Sequence, residues 1–329
     1  MILFTGMLKK QEIKRMNRRD FLKSAAAIAA FGVVFRVAGA PKKNVAPKTG
    51  GPVDLVAIRG GEPEDMFDRA IGELGGMKAF VKKGQTVVVK PNIGWDRSPE
   101  LAANTNPKLI ERIVKRCYEA GAKQVYVFDT TCNRWDLCYK NSGIAEAAKA
   151  AGATVIGGDS SSDRNYLEKN YSKVTVPNAK RLKNPLVHRL IQECDVFINV
   201  PVLKHHGGAQ MTAAMKNLMG TVSKSTQRFF HQNDLNRCIA EIGTFRKPDL
   251  NVIDAYRVMT KRGPRGVDSS DIRLIKYQLL GRDMVALDTA AAAVIGFDPR
   301  RIGYIAIGET LGLGTRNLKR LNVKRIKVG

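Results

Sequence analysis

Apolar and polar positions switch between two periods along most of the chain. Short runs rich in β-branched and other apolar residues occupy 53–58, 86–89, 124–128, 154–156, 196–200, 250–253 and 277–280. Between them, apolar residues recur three and four apart over 64–80, 107–120, 144–151, 211–218, 235–244 and 288–295, while 189–193 leads into the run 196–200 and 301–307 forms the last element. Asn106 is a good N-cap and Pro107 a good first helical residue, while Gly121 and Gly152 follow the last residues of two helices. Asp288 is placed to cap the helix it opens. The run 196–200 has apolar residues on both faces, the pattern of a parallel strand covered on both sides. Strands alternating with helices predict an α/β fold with a mostly parallel sheet flanked by helices. Two closely packed lobes are expected, 53–159 and 185–311, with 312–329 as a basic tail.

Ahead of that body, Asn17-Arg18-Arg19-Asp20-Phe21-Leu22-Lys23 resembles the twin-arginine export signal, S/T-R-R-x-F-L-K, with Asn in place of Ser or Thr. The apolar stretch 25–35 is too short to cross roughly 30 Å of hydrocarbon. Ala38-Gly39-Ala40 supplies a small-x-small cleavage pattern, and 41–52, rich in Lys, Pro and Gly, reads as a linker. The resemblance implies that residues 1–40 are a signal peptide, that the twin-arginine translocase is a partner, and that the folded chain is exported to the periplasm or beyond. It also implies cargo often loaded with a cofactor before export. No stable membrane span is expected in the mature part.

With 44% hydrophobic residues among 329, the chain can bury a large core. Its net charge is +25; without residues 1–40, which carry eight Lys/Arg against two Asp/Glu, it is +19. That excess favours anionic partners. The basic residues are dispersed, with no recognition-helix or aromatic-basic pattern, so nucleic acid is not expected and a small anionic ligand is. The five cysteines are odd in number and include no C-x-x-C pair, which argues against a disulfide framework, a zinc knuckle and an iron–sulfur cluster. Cys117 and Cys194 read as core; Cys132 and Cys138 are candidates to pair after export.

Ligands of open α/β sheets bind beyond the carboxyl ends of the strands. Here those ends run into Lys90 and Asn92, into Asp129, into Lys204-His205-His206-Gly207-Gly208, and into Asp254. Lys216 and Asn217 follow shortly. His205, His206 and His231, three of four histidines, fall close together and are candidate metal ligands or proton-transfer groups. Lys90, Lys204 and Lys216 can converge on a carboxylate or phosphate, and a buried lysine can act as base or nucleophile. Gly207 and Gly208 would let backbone N–H groups approach an anion. Gly266, in Gly263-Pro264-Arg265-Gly266, marks a further binding loop. Asp283 and Asp288 form another polar cluster, in which Asp288 is either cap or ligand. No Walker loop and no G-x-G-x-x-G are present.

In this order the pieces resemble the domain-of-unknown-function family 362. The marks are Lys90-Pro91-Asn92; Ala120-Gly121-Ala122-Lys123; I-N-V-P-x-x-K-x-H from Ile198 to His206; K-N-x-x-G from Lys216 to Gly220; Asp254-Ala255 with G-P-x-G; and D-x-x-A-x-D-x-x-A-A with Gly296-Phe297-Asp298-Pro299. The likeness spans about residues 53–311. Many members carry an appended ferredoxin-like segment, which these cysteines do not provide. More loosely, K-x-H and K-N are similar to the nickel-pincer lactate racemase superfamily, where histidines and a lysine hold a nickel–pyridinium group; this adds a metal or organometallic cofactor as an expectation. Two functions are therefore expected. One is an enzyme of oxidoreductase or isomerase type on a small anion, with Lys204, His206, Lys216 and His231 catalytic and Lys90, Asn92, Asp129, Gly207, Gly208, Asn217, Asp254 and Gly266 binding. The other is a non-catalytic binder of an anion or cofactor.

Overall fold

In the computed structural model the described residues are 51–157 and 164–328. The signal and most of the linker, 1–50, lie outside them.

The strands are β1 (Leu55–Arg59), β2 (Thr86–Pro91), β3 (Gln124–Val127), β4 (Thr154–Val155), β5 (Tyr171–Lys173), β6 (Leu186–His188), β7 (Val196–Val200), β8 (Val202–His206), β9 (Gln210–Thr212), β10 (Leu250–Met259), β11 (Ile272–Gly281) and β12 (Val323–Lys327). The main sheet runs β12-β1-β11-β10-β7-β2-β3-β4, with β8 paired to β10 and β9 to β8. From β10 to β4 neighbouring strands are parallel. β11 is antiparallel to both β10 and β1. The fold is thus α/β with a mostly parallel central sheet, as the alternation of periods predicts.

Burial follows the period-2 geometry of the strands. Val88, Phe197 and Ile253 pack on one face with the helices Ala214–Asn217, Leu235–Phe245, Met284–Val294 and Gly303–Thr310. Val87, Val89, Ile198 and Val252 pack on the other with the helices Pro63–Glu73, Pro107–Glu119 and Ile144–Ala150. The two segments expected as lobes therefore share one sheet, and β7 lies between β2 and β10. Their helices cover opposite faces.

Several elements differ from expectation for identifiable reasons. The helix begun at Pro63 stops at Glu73, since Gly75 and Gly76 have positive φ, and resumes as one turn at Met77–Ala79. The stretch 211–218 splits into β9 and the short helix Ala214–Asn217. The helix assigned to 288–295 starts earlier, at Met284, and its N-cap is Asp283, which accepts from the Ala286 N–H at 2.8 Å. Residues 323–327, inside the expected basic tail, form β12, parallel to β1. Among the described residues no helix is long and apolar enough to cross a membrane.

Candidate functional site

Chain order and sheet order part company at β2. From β2 the chain winds outward through β3 to β4, then returns to β7 on the other side of β2. The carboxyl ends of β2 and β7 therefore face a crevice at a topological switch point, where open α/β sheets hold ligands. A cavity of about 330 Å³ lies there.

A row of amides builds its floor. Lys204 Nζ donates to Asn92 Oδ1 at 2.9 Å, and also to Ala103 O. Asn92 Nδ2 donates to Asn217 Oδ1 at 3.0 Å, Asn217 Nδ2 to Asn199 Oδ1 at 2.9 Å, and Asn199 Nδ2 to Asn251 Oδ1 at 2.9 Å. Each carboxamide both gives and accepts, so the row fixes every member, and it joins β2, β7, β10 and the helix Ala214–Asn217.

Behind this floor Lys90 is fully buried, and its Nζ lies 2.8 Å from Asp129 Oδ1. Asp129 Oδ2 accepts from the Ile93 N–H at 2.7 Å. Burial pushes the Asp129 carboxyl up and the Lys90 ammonium down, and their mutual attraction opposes both shifts. Asp129 is on the cavity wall; Lys90 is not, being screened behind it. Gly220 explains the closeness: a Cβ there would lie 1.7 Å from Asp129 Oδ1 and 2.6 Å from Lys90 Nζ.

The wall facing the ligand space is cationic. Lys204 is 1% exposed and Lys216 9%. Burial pushes the Lys204 ammonium down to about 7 and the Lys216 ammonium to about 8. Lys216 has no hydrogen bond or ion pair among the described residues. His206 Nδ1 accepts from the Gly208 and Ala209 N–H groups at 3.1 and 3.0 Å. With that lone pair in use, the neutral ring carries its proton on Nε2, which becomes a donor. Burial, with Lys216 next, depresses the His206 imidazolium to about 2, so the ring stays neutral. His231, exposed at the cavity's edge, stacks on it with centroids 6.2 Å apart.

Of the residues singled out in the sequence, Asn92, Asp129, Lys204, His206, Gly207, Gly208, Lys216, Asn217 and His231 meet on this wall. Others do not. Asp254 is buried inside β10, because that strand runs on to Met259, and its oxygens accept from the Asn106 and Tyr256 N–H groups at 2.8 and 3.0 Å. Gly266 faces Met259, off the wall. Gly207 and Gly208 offer no free N–H, for these donate to Gly263 O and to His206 Nδ1. Asp288 is not a ligand or a cap of its own helix; its oxygens accept from the Ala214 and Met215 N–H groups at 2.6 and 3.0 Å, anchoring the helix that carries Lys216.

The three-histidine metal set does not assemble. His205 Nδ1 accepts from the Gly263 N–H at 3.1 Å, off the cavity wall, and His206 presents an N–H where a ligand needs a lone pair. Among the described residues no three or more His, Cys, Asp or Glu side chains are gathered to hold a metal.

Trp95, Thr130, Thr212 and Gln227 are among the wall residues that escaped the sequence reading, and Cys132 was read there only as a pairing candidate. Cys132 was legible in principle, standing three residues past the strand-end Asp129. Asn199 was too, as the one polar residue in an apolar strand.

Fold and site together define an α/β protein with a cationic strand-end cavity at the switch point of a mostly parallel sheet. The chain belongs to the family described as domain of unknown function DUF362, whose model matches residues 87–293. A "Thylakoid-associated protein" of Synechocystis sp. is 27% identical over 249 residues, covering 73% of this chain and 72% of the relative. Two solved structures are similar at low level. The lactate racemase apoprotein from Thermoanaerobacterium thermosaccharolyticum is 15% identical with a TM-score of 0.40, over 79% of this chain and 57% of that one. A Thermotoga maritima protein is 10% identical with a TM-score of 0.45, over 76% and 60%.

Proposed function

We propose that the cavity binds a small carboxylate- or phosphate-bearing molecule and that the protein is an enzyme acting on it. The observation that carries this reading is Lys216, a buried cation with no partner among the described residues, facing the same space as Lys204. Burying an unpaired ammonium is unfavourable, and an anionic ligand would relieve that penalty. Lys204 then serves as the proton-transfer group: near neutral pH it holds or gives up its proton with little driving force, the condition general acid–base catalysis needs. The Asn92–Asn217 row orients it, and the His206 Nε2–H is a further donor to the ligand. A non-catalytic binder would share the lysines but would have no use for that pKa. Calorimetric titration of purified protein with malonate and inorganic phosphate at pH 6.5 tests the binding. Saturable binding of at least one, lost in Lys216→Met, is expected; no binding of either overturns the reading.

The same proposal places the mature chain outside the cytoplasmic membrane, delivered by the twin-arginine translocase, on the strength of the ordered signal in 17–40. Replacing Arg18 and Arg19 with Lys should block processing and leave the precursor in the cytoplasm. Unchanged processing would remove the assignment.

A further inference from the structure

Among the five cysteines Cys132 alone is exposed; Cys117, Cys138, Cys194 and Cys238 are buried, and none is in a disulfide. It lies on the loop leaving β3, where its N–H donates to Gly94 O at 2.8 Å, and its side chain is on the cavity wall with Lys204 and Lys216. A thiol at a cavity mouth is by itself unremarkable. Here a second feature points to a ligand beside it: Lys216, more than nine-tenths buried, faces the same space with no partner among the described residues. Both lysines act on the sulfur: Lys216 and then Lys204 favour the ionised form of Cys132 more than any other charge near it. An anion drawn to Lys216 is therefore held next to a sulfur nucleophile and an amine able to take its proton.

From this juxtaposition we infer that Cys132 is the cavity's covalent nucleophile toward small anionic carbonyl compounds. The ligand's carboxylate or phosphate sits on Lys216, and Cys132 Sγ adds to the adjacent carbonyl carbon. The S–C bond forms, the carbonyl π bond opens, and the thiol proton passes through the Lys204 amine to the carbonyl oxygen. The adduct is a hemithioacetal or hemithioketal, with nothing oxidised or reduced. Although the residue is exposed at the mouth, the cavity wall desolvates its sulfur and raises the thiol above its ordinary value while Lys216 and Lys204 pull it back, so reaction depends on that neighbouring amine. The inference rests on the anion-binding reading of the cavity.

The test uses two alkylating probes of similar size, iodoacetate and iodoacetamide, on the purified mature protein at pH 7.5, followed by intact mass and peptide mapping. In each reaction the S–C bond forms, the C–I bond breaks and iodide leaves. Single modification at Cys132 is expected, with iodoacetate faster than iodoacetamide by about tenfold or more, as a cationic cavity concentrates the charged reagent. Malonate should protect Cys132, and Lys216→Met should bring the rate ratio toward one. Equal rates, a faster neutral reagent, or modification elsewhere would overturn the inference. If malonate binds by calorimetry while iodoacetate shows no advantage, only the nucleophile assignment falls. If no anion binds, the underlying reading falls with it.

Discussion

Asp129 and Asp254 are both buried carboxylates that follow apolar runs of strands in the same sheet, yet their surroundings differ in one decisive way. Around Asp254 both oxygens are used, accepting the backbone N–H groups of Asn106 and Tyr256. Around Asp129 the pairing leaves a remainder. Its oxygens go to Ile93 and Lys90, and beyond it stand Lys204, satisfied only by neutral acceptors, and Lys216, which has no partner among the described residues. The first region is complete as folded; the second leaves a cation over, which the proposed anion would satisfy. A buried polar group's role is thus read from the valences left over, more than from its place at a strand end.

The largest effect should come from breaking the paired half of the second region. Lys90→Met strands the Asp129 charge and should cost about 3–5 kcal/mol in denaturant unfolding, while Lys90→Met with Asp129→Leu should recover most of it. A double variant as unstable as the single would show that the pair is not what holds this wall. In the first region, Asp254→Asn keeps one acceptor and should cost only about 1–2 kcal/mol.

Next comes pH. Burial raises Asp254 to about 6 and Asp288 to about 7, above the ordinary 3.8. A raised carboxyl binds protons more tightly folded than unfolded, so its contribution is complete below about pH 4 and lost as pH climbs to 6 or 7. Lys204 and Lys216 are depressed from 10.5 to about 7 and 8, so theirs is complete above about 10.5 and lost as pH falls through 8 and 7. Without an anion, these four groups together favour a shallow stability minimum near neutrality. Asp288→Asn should flatten the acid limb and Lys204→Met the alkaline limb of stability against pH; limbs unchanged in both variants would contradict the assignment.

A smaller effect separates Lys216 from the histidine that left the site. Lys216→Met should weaken malonate binding about tenfold, near 1.4 kcal/mol. His205→Ala, whose ring is spent on Gly263, should change it by less than about twofold. Equal losses in the two would return His205 to the site.

Much of this was legible in the chain. Runs such as 196–200, apolar on both sides, announce a parallel sheet, and the residues just past them supply the lysines and amides of the wall. What the sequence hides is commitment. The N–H groups of Gly207 and Gly208 look available until Gly263 and the folded-back His206 ring take them. Asp288 has the same capping chemistry as Asp283, and only the tertiary fold shows that it anchors a different helix. β12 was missed because Val-Lys-Arg-Ile-Lys at a sheet edge buries little and reads as a solvated tail.

The most direct measurement is malonate affinity as a function of pH in the wild-type protein and in Lys216→Met. The account predicts wild-type affinity that is highest below about pH 7 and falls between pH 7 and 9, as Lys204 and Lys216 give up their protons, with weaker binding and a shallower fall in the variant. An affinity flat across that range, or one that Lys216→Met leaves untouched, would contradict the claim that an unpaired buried lysine defines the site.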